Sequence, residues 1–490
     1  METERLGEQF ISTGVDGLDY ILGGFPKGSL IILAGNPGTG KTILSAKFLY
    51  HGAVEYNESG VYFSSAESKE VFFKTMKIYG FDFEKLEREG KFNFLDFLAA
   101  KEKLSNMLVL KEPAAHVIIN EIIEAVDMVK AKRLVIDSFT ALAQSFKDLD
   151  EVRMVTNRVL SRVIRRMGCT TILIEEVPYG EQRIGFGVEE FIADGVLVLR
   201  TSEFEGYRLR ELEIPKMRGV KLKETKLIFT LEGGFKAFPP FTSKPIVKKQ
   251  CFQPTPDPPS KYSTGSKSFD DLLEGGLPRG FIMLLEIDEK VSTDMYHLLV
   301  APMVANFISQ GRGAFIIPSM GVTPLDIYRT CEVYGMDDAA KQYLTVVLRE
   351  EYEASNVPLN FISVKAEDWR KDMNIVMDAA YGLMFKLNQP PILVVGTDSL
   401  ITLYGEKQCE EILNLVASTV KLNQAGLIIL VKAGYRSLAV KLSAISDIYA
   451  RLTREHGCLL FYCVKPRIGL YAVEYDASKP YPIAKLTPIL

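Results

Sequence analysis

The stretch GNPGTGKT, Gly35 to Thr42, follows the short apolar run LIILA, Leu30 to Ala34, and opens KTILSAKFLYHGAVEY, where apolar residues recur at helical spacing. A GxxxxGK[ST] pattern between a strand and a helix is a phosphate-binding loop: its glycines let backbone N–H groups close around phosphate oxygens. In that setting Lys41 brings positive charge to the β- and γ-phosphates, and Thr42 offers a hydroxyl to Mg²⁺. Gly35, Asn36, Pro37, Gly38, Thr39 and Gly40 complete the nucleotide-binding set. Asp137 ends the apolar run LVID and has the character of a carboxylate placed near the metal. Alone, a strand-end aspartate more often caps a turn; beside this loop it reads as the second metal-side residue.

Working outward, short apolar runs rich in β-branched or aromatic residues alternate with helical patterns. GVYFSS from Gly60, RLVIDS from Arg133, TTILIEE from Thr170 and DGVLVLR from Asp194 have the character of strands buried on both faces. Strands alternating with helices imply βαβ units and a parallel sheet, and RLRELEIPKMRG and KLIFTLEGGFKAF read as antiparallel strands closing its far end. The framework then repeats. STGVDGLDYILGGFPKGSLIIL from Ser12 returns as STGSKSFDDLLEGGLPRGFIML from Ser263, KIYGFD from Lys77 as EVYGMD from Glu332, and VIDSFTAL from Val135 as GTDSLITL from Gly396. Between the copies, Pro254, Pro256, Pro258 and Pro259 favour an extended linker. The expected organisation is α/β, two tandem P-loop domains of mostly parallel sheet flanked by helices: an active domain over 1–242, a proline-rich linker over 243–260, and a degenerate copy over 261–490.

Aligning Gly280 with Gly28 puts IDEKVSTD, Ile287 to Asp294, on the phosphate loop, with Thr293 at the lysine position and Asp294 at the Ser/Thr position. Glycines and lysine are gone, and Glu286, Asp288 and Glu289 are expected to add negative charge where phosphates would lie. Like unit charges ~4 Å apart repel by about 4 kcal/mol at an effective dielectric of 20, so phosphate binding should fail there. Asp398 is expected at the metal-side carboxylate's place, and Lys465 and Arg467 keep a Lys-x-Arg arrangement.

Four stretches, GVYFSSAESKEVFFKTMKIYGFDFEKL, VIDSFTAL, GFGVEEFIADGVLVLR and EIPKMRG, together resemble the KaiC family within the RecA-like P-loop ATPases. The resemblance covers nearly all of residues 8–238 and, more weakly, 262–490. It implies homo-oligomeric, hexameric rings with ATP between adjacent subunits and an acidic pair after the second strand that positions the attacking water. Here the pair is Ala66-Glu67, so Glu67 is the catalytic candidate and slow turnover is expected. Lys216 and Arg218 match the family's trans-acting pair, which reaches the neighbour's γ-phosphate; cations there stabilise charge developing on the transferred group.

Composition excludes other classes. A formal charge of −4 from 58 basic and 62 acidic residues argues against a surface devoted to nucleic acid. Arg158, Arg162, Arg165 and Arg166 form a helical stripe, but without aromatic interleaving it reads as solvated or subunit-facing. The six cysteines show no ligand spacing and the four histidines are scattered, so they suggest no metal site beyond Thr42 and Asp137. No apolar run reaches membrane-spanning length and Met1 to Gln9 is polar, which sets cytoplasm as the expected location. The reading is a Mg²⁺-dependent, slow ring ATPase in a regulatory assembly with protein partners the sequence does not identify. The alternatives are a scaffold switched by ATP occupancy and a recombinase-like DNA-dependent motor.

Overall fold

The computed structural model describes residues 9–97, 114–140, 166–180, 192–243, 251–350 and 357–490. The segment GVEEF at 187–191 and Arg158, Arg162 and Arg165 of the arginine stripe lie outside these residues. The chain divides into two compact units, Met1–Pro240 with Ile489–Leu490, and Phe241–Pro488.

The first unit is built on nine strands: β1 Leu30–Gly35, β2 Gly60–Ser64, β3 Phe92–Asp96, β4 Arg133–Asp137, β5 Thr170–Glu176, β6 Gly195–Phe204, β7 Tyr207–Met217, β8 Lys226–Thr230 and β9 Lys236–Phe238. Their order across the sheet is β3-β2-β4-β5-β1-β6-β7-β8-β9. Neighbours from β3 to β6 are parallel, and β6 to β9 run antiparallel. Every residue of β1 is buried, because side chains alternate between two covered faces. Ile31 and Leu33 pack with Leu44 and Phe48 of α1, Lys41–Glu55. Leu30 turns the other way and shares a cluster with Val61, Phe63 and Ile122 of α3, Ala114–Met128; α2, Lys69–Ile78, joins the α1 face through Phe72 and Met76. Burying such side chains contributes about 1.5–3 kcal/mol each, which makes β1 a rigid mount for whatever follows its carboxyl end.

The second unit repeats this topology with one more edge strand. Its strands are β10 Ile282–Ile287, β11 Ala314–Ile317, β12 Leu344–Arg349, β13 Asn360–Val364, β14 Ile392–Gly396, β15 Gly426–Lys432, β16 Ile448–Glu455, β17 Cys458–Lys465, β18 Ile468–Tyr475 and β19 Ala484–Pro488. They are ordered β13-β12-β11-β14-β15-β10-β16-β17-β18-β19. Helices α4, Thr293–Ser309, α5, Pro324–Val333, α6, Trp369–Leu387, and α7, Thr397–Tyr404, cover it, and Trp369 is partly buried against the core. The repeated Ser-Thr-Gly has one physical cause in both copies. Asp19 accepts from Ser12 Oγ at 2.6 Å and from Thr13 N and Oγ1 at 2.9 and 2.7 Å; Asp270 accepts from Ser263 Oγ at 2.5 Å and from Thr264 N and Oγ1, each at 2.7 Å. The proline-rich stretch forms neither helix nor strand over its described residues, and it is packed. Phe252 is buried against Tyr334 and Tyr481, Thr255 N donates to Asn306 Oδ1 at 2.8 Å, and Asp257 pairs with buried Arg312. Among the described residues no helix is long and apolar enough to cross a membrane.

Candidate nucleotide site

At the carboxyl end of β1 the chain turns through residues 36–40 into α1, whose N-terminal flank is Gly40 at φ 103°; Gly38 also lies in the left-handed region, at φ 77°. Gly35 is required for a different reason: a Cβ there would lie 2.6 Å from Leu199 O and 2.8 Å from Thr39 Oγ1. The loop is tied down by Thr39 Oγ1 to Asn36 O at 2.8 Å, Asn36 Nδ2 to Val177 O at 2.8 Å and Tyr179 OH to Pro37 O at 3.1 Å. Lys41 donates from Nζ to the carbonyls of Gly35 and Asn36, both at 2.9 Å. Burial lowers the pKa of this ammonium, while Glu176 and Asp137 nearby act to raise it. A buried cation at a helix N-terminus makes an anion site.

Asp137 ends β4 opposite Ser64 of β2. Its Oδ2 accepts from Thr42 Oγ1 at 2.9 Å and from the hydroxyl of Tyr62. Burial raises its pKa, and the bonds from Tyr62 and Thr42 and the charge of Lys41 pull it back. Hydroxyl and carboxylate oxygens side by side suit a hard divalent cation. Among the described residues no cluster of three or more His, Cys, Asp or Glu could hold a metal, so such a cation would complete its shell from phosphate and water.

Beyond β2 the backbone is locked to β4: Ser65 N donates to Asp137 O at 2.6 Å, and Ser138 N to Ser65 Oγ at 2.9 Å, across a cis Asp137–Ser138 peptide. Glu67 N donates to Ser64 Oγ at 2.9 Å, and burial, with Asp137 second, raises the Glu67 carboxyl's pKa. Ala66 is exposed. Glu175, fully buried, accepts from Thr140 Oγ1 at 2.7 Å. The structure thus brings the loop, Lys41, Thr42, Asp137 and Glu67 to one end of the sheet.

Lys216 and Arg218 are elsewhere. Lys216 faces Val196 on β6, which is level with Ile32 of β1. Arg218, one residue past the end of β7, donates to Asp194 Oδ1 at 3.4 Å; the other oxygen of that carboxylate accepts from Leu30 N at 3.0 Å. Arg218 is therefore level with the start of β1, five residues or ~16 Å behind Gly35 at ~3.3 Å per residue. A single subunit does not bring it to its own phosphate loop.

Tyr62 was not singled out by sequence reasoning, because an aromatic inside an apolar strand looks like core. Only its period-two placement ahead of Ser64, pointing to the α1 face, could have signalled it.

In the second unit, register corrects two expectations. Ile31, Ile172 and Val135 are level across β1, β5 and β4, as are Met283, Ile428 and Val394 across β10, β15 and β14. The counterpart of Asp137 is thus Gly396, where a Cβ would lie 2.5 Å from Ser319 Cα, and not Asp398. Asp398 is two residues on, in α7, accepting from Met320 N at 3.0 Å and pairing with Lys432 at 2.8 Å. Glu286 does not point into a phosphate position either. Strand alternation turns it to the other face, where Tyr449, Arg451 at 2.8 Å and Arg436 at 3.2 Å receive it. Ile287 fills Gly35's place with a buried side chain, and Asp288 closes the turn by accepting from Lys290 N at 3.0 Å.

A family model described as "ATPase: KaiC" matches residues 11–235, and one described as "GvpD basic region 2" matches residues 251–490. The UPF0273 protein MJ1359 of Methanocaldococcus jannaschii is 34% identical over 230 residues, 46% of this chain and 94% of that protein. The circadian clock oscillator protein KaiC of Thermostichus vulcanus is 31% identical over 277 residues, 56% of this chain and 51% of the clock protein, so the match spans about half the clock protein's length. Among solved structures, a KaiC-like protein from Pyrococcus horikoshii is 35% identical over 47% of this chain and 99% of its own, with a TM-score of 0.41.

Proposed function

The chain belongs to the KaiC-like family of P-loop ATPases, and from that premise we propose that its first unit binds and slowly hydrolyses Mg²⁺-ATP in a ring of like subunits, with the second unit a platform that binds no nucleotide. The observation that carries the reading is the 2.9 Å contact of Thr42 Oγ1 with Asp137 Oδ2 at the mouth of the loop that holds Lys41. Thr42 and Asp137 would hold Mg²⁺, which supplies charge neutralisation at the β- and γ-phosphate oxygens. Backbone N–H groups of residues 38–42 bind the phosphates, and Lys41 exchanges its loop carbonyls for phosphate oxygens.

Glu67 orients the attacking water and accepts its proton, a task helped by a carboxyl pKa moved up toward neutrality. With Ala66 in place of the family's first acid, one carboxylate works where two are the pattern, which supports slow turnover. The distance of Arg218 from its own loop supports a role across a subunit interface, where Lys216 and Arg218 meet a neighbour's γ-phosphate. That the ATPase family model ends at residue 235, and that Ile287 and Gly396 replace Gly35 and Asp137, supports the nucleotide-free second unit.

Exposed Ala66 also favours a second reading, in which ATP occupancy rather than turnover switches the binding of partner proteins. Phosphate release by the full-length protein separates the two. Mg²⁺-dependent hydrolysis, abolished by Lys41→Ala, is expected; tight ATP binding without multiple turnovers establishes the occupancy switch instead.

A further inference from the structure

The two units differ in the layer between the helix after the first strand and the second strand. In the first unit this layer is aromatic: Tyr62 lies 4.4 Å from Phe72 and 5.7 Å from Phe94, ring centre to ring centre, with Phe48 on α1 in the same cluster. Register and the repeated sequence pair these with Ile316, Ile327, Val346 and Val300 in the second unit. Four rings are exchanged for aliphatic side chains, and three of these, Val300, Ile316 and Ile327, line a chamber bounded by α4, β11 and α5.

The chamber has a volume of about 70 Å³ and is open on one side. That is several times the ~10–15 Å³ that one water needs and about half of the ~150 Å³ enclosed apolar cavity known to take up benzene, so a single substituted ring enters only with part of it left in the open side. No Asp, Glu, Lys or Arg is among its lining residues. A charged guest would be desolvated without a counter-charge, so the site selects against ions.

The polar side chains in its wall are the hydroxyls of Tyr296, Ser319, Thr330 and Tyr334, the thiol of Cys331 and the imidazole of His297, whose pKa burial lowers to about 4 so that it is neutral at pH 7. Tyr296 on α4 and Ser319, just after β11, are 2% and 3% exposed, and both line the chamber. Burial raises the pKa of the Tyr296 phenol, and Thr293 and Ser319 lie near enough to act as hydrogen-bonding neighbours that lower it. Yet neither Tyr296 Oη nor Ser319 Oγ is placed to make a well-aligned hydrogen bond among the described residues. Leaving two buried hydroxyls unmatched is costly, and a guest with one donor–acceptor end would satisfy them. Tyr296 stands where the first unit has Leu44, so the second unit carries a hydroxyl at a position that is aliphatic in the first.

We propose that the second unit binds a small uncharged molecule with an apolar body and a single hydrogen-bonding end, the body against Val300, Ile316 and Ile327 and the end on Tyr296 and Ser319. The site needs no ATP and lies wholly within the second unit.

The test uses phenol and toluene as probes on the full-length protein, by calorimetry and by methyl NMR. Phenol is expected to bind, with the Ile316 and Ile327 methyl resonances shifting together, and Ser319→Ala should weaken phenol about fivefold, the size of one neutral hydrogen bond, while leaving toluene unchanged. Ile327→Phe and Val300→Phe, which refill the chamber, should each weaken phenol by about tenfold or more. Lys41→Ala should bind phenol like the wild type. The proposal is overturned if phenol fails to bind at millimolar concentration, if it binds equally to both filled variants, or if methyls other than those of the chamber respond. The methyl readout needs only the wild-type chain, so it decides the matter even where a variant fails to fold.

Discussion

Replacing Tyr62 by phenylalanine isolates one hydroxyl at the heart of the proposed site. The ring keeps its neighbours, 4.4 Å from Phe72 and 5.7 Å from Phe94, so the apolar burial of a side chain 1% exposed is retained. What disappears is the hydrogen bond to Asp137 Oδ2. A hydrogen bond to a charged group contributes about 1.5–3 kcal/mol, and the first unit should lose about that much stability at neutral pH. The pH dependence follows from Asp137. Burial holds its carboxyl above the usual range, and the Tyr62 hydroxyl is among the groups that pull it down, so the variant's carboxyl moves further up. A carboxyl raised in the folded state favours the fold below its unfolded pKa and ceases to do so as pH rises through its folded pKa, where the unfolded chain ionises more easily. The deficit of Tyr62→Phe against the wild type is therefore largest at pH 7 and shrinks as acid protonates Asp137 in both proteins. Urea unfolding followed by far-UV circular dichroism at pH 7 and pH 5 measures it. The chain's one tryptophan, Trp369, is in the second unit, so its fluorescence transition serves as an internal control and should not move. A variant as stable as the wild type at pH 7, or a deficit that grows on acidification, would refute the assignment of this hydroxyl as a support for Asp137.

Three further outcomes follow from the site. Glu67→Gln should bind Mg²⁺-ATP and lower single-turnover hydrolysis by roughly 10²- to 10⁴-fold, whereas Ala66→Glu should raise turnover without tightening binding; wild-type rates in Glu67→Gln would move the search to Glu175 and Glu176. Because burial and Asp137 raise the Glu67 pKa, and the ionised form is the base, the wild-type rate should fall on acidification through a midpoint above the ordinary glutamate value of about 4.3. Arg218→Ala should retain ATP binding and lose roughly 10³-fold in turnover. Mixed with the inactive Lys41→Ala protein it should regain activity at interfaces that join an intact loop to an intact arginine, and a mixture that stays inactive while subunits exchange rules out the role in trans.

What could be read from the sequence was what periodicity and local pattern encode. The glycine loop, the strand-ending Asp137 and the alternation of apolar runs with helical ones announce a parallel α/β sheet with a phosphate site at the end of Leu30–Gly35, and the structure has that sheet. The repeated Ser-Thr-Gly was legible as a repeat, and its hydrogen bonds to Asp19 and Asp270 supply the reason. What escaped was three-dimensional register. Sequence order aligned Asp398 with Asp137, but pairing across the sheet puts Gly396 there, because two residues more separate the strand from the aspartate. Glu286 looked like an acid in the phosphate loop until alternation turned it toward Arg451. Tyr62 was hidden because its ring belongs to the core and only its hydroxyl reaches the site.

The central claim is that nucleotide chemistry was kept in one copy of the framework and lost from the other. Titration calorimetry of the full-length protein with a non-hydrolysable ATP analogue and Mg²⁺ tests it most directly. One site per chain is expected, abolished by Lys41→Ala, since the loop at Gly35 to Thr42 alone has its glycines and lysine. Two sites per chain, or one that persists in Lys41→Ala, would show that the loop at Ile287 to Asp294 binds nucleotide and would contradict the account.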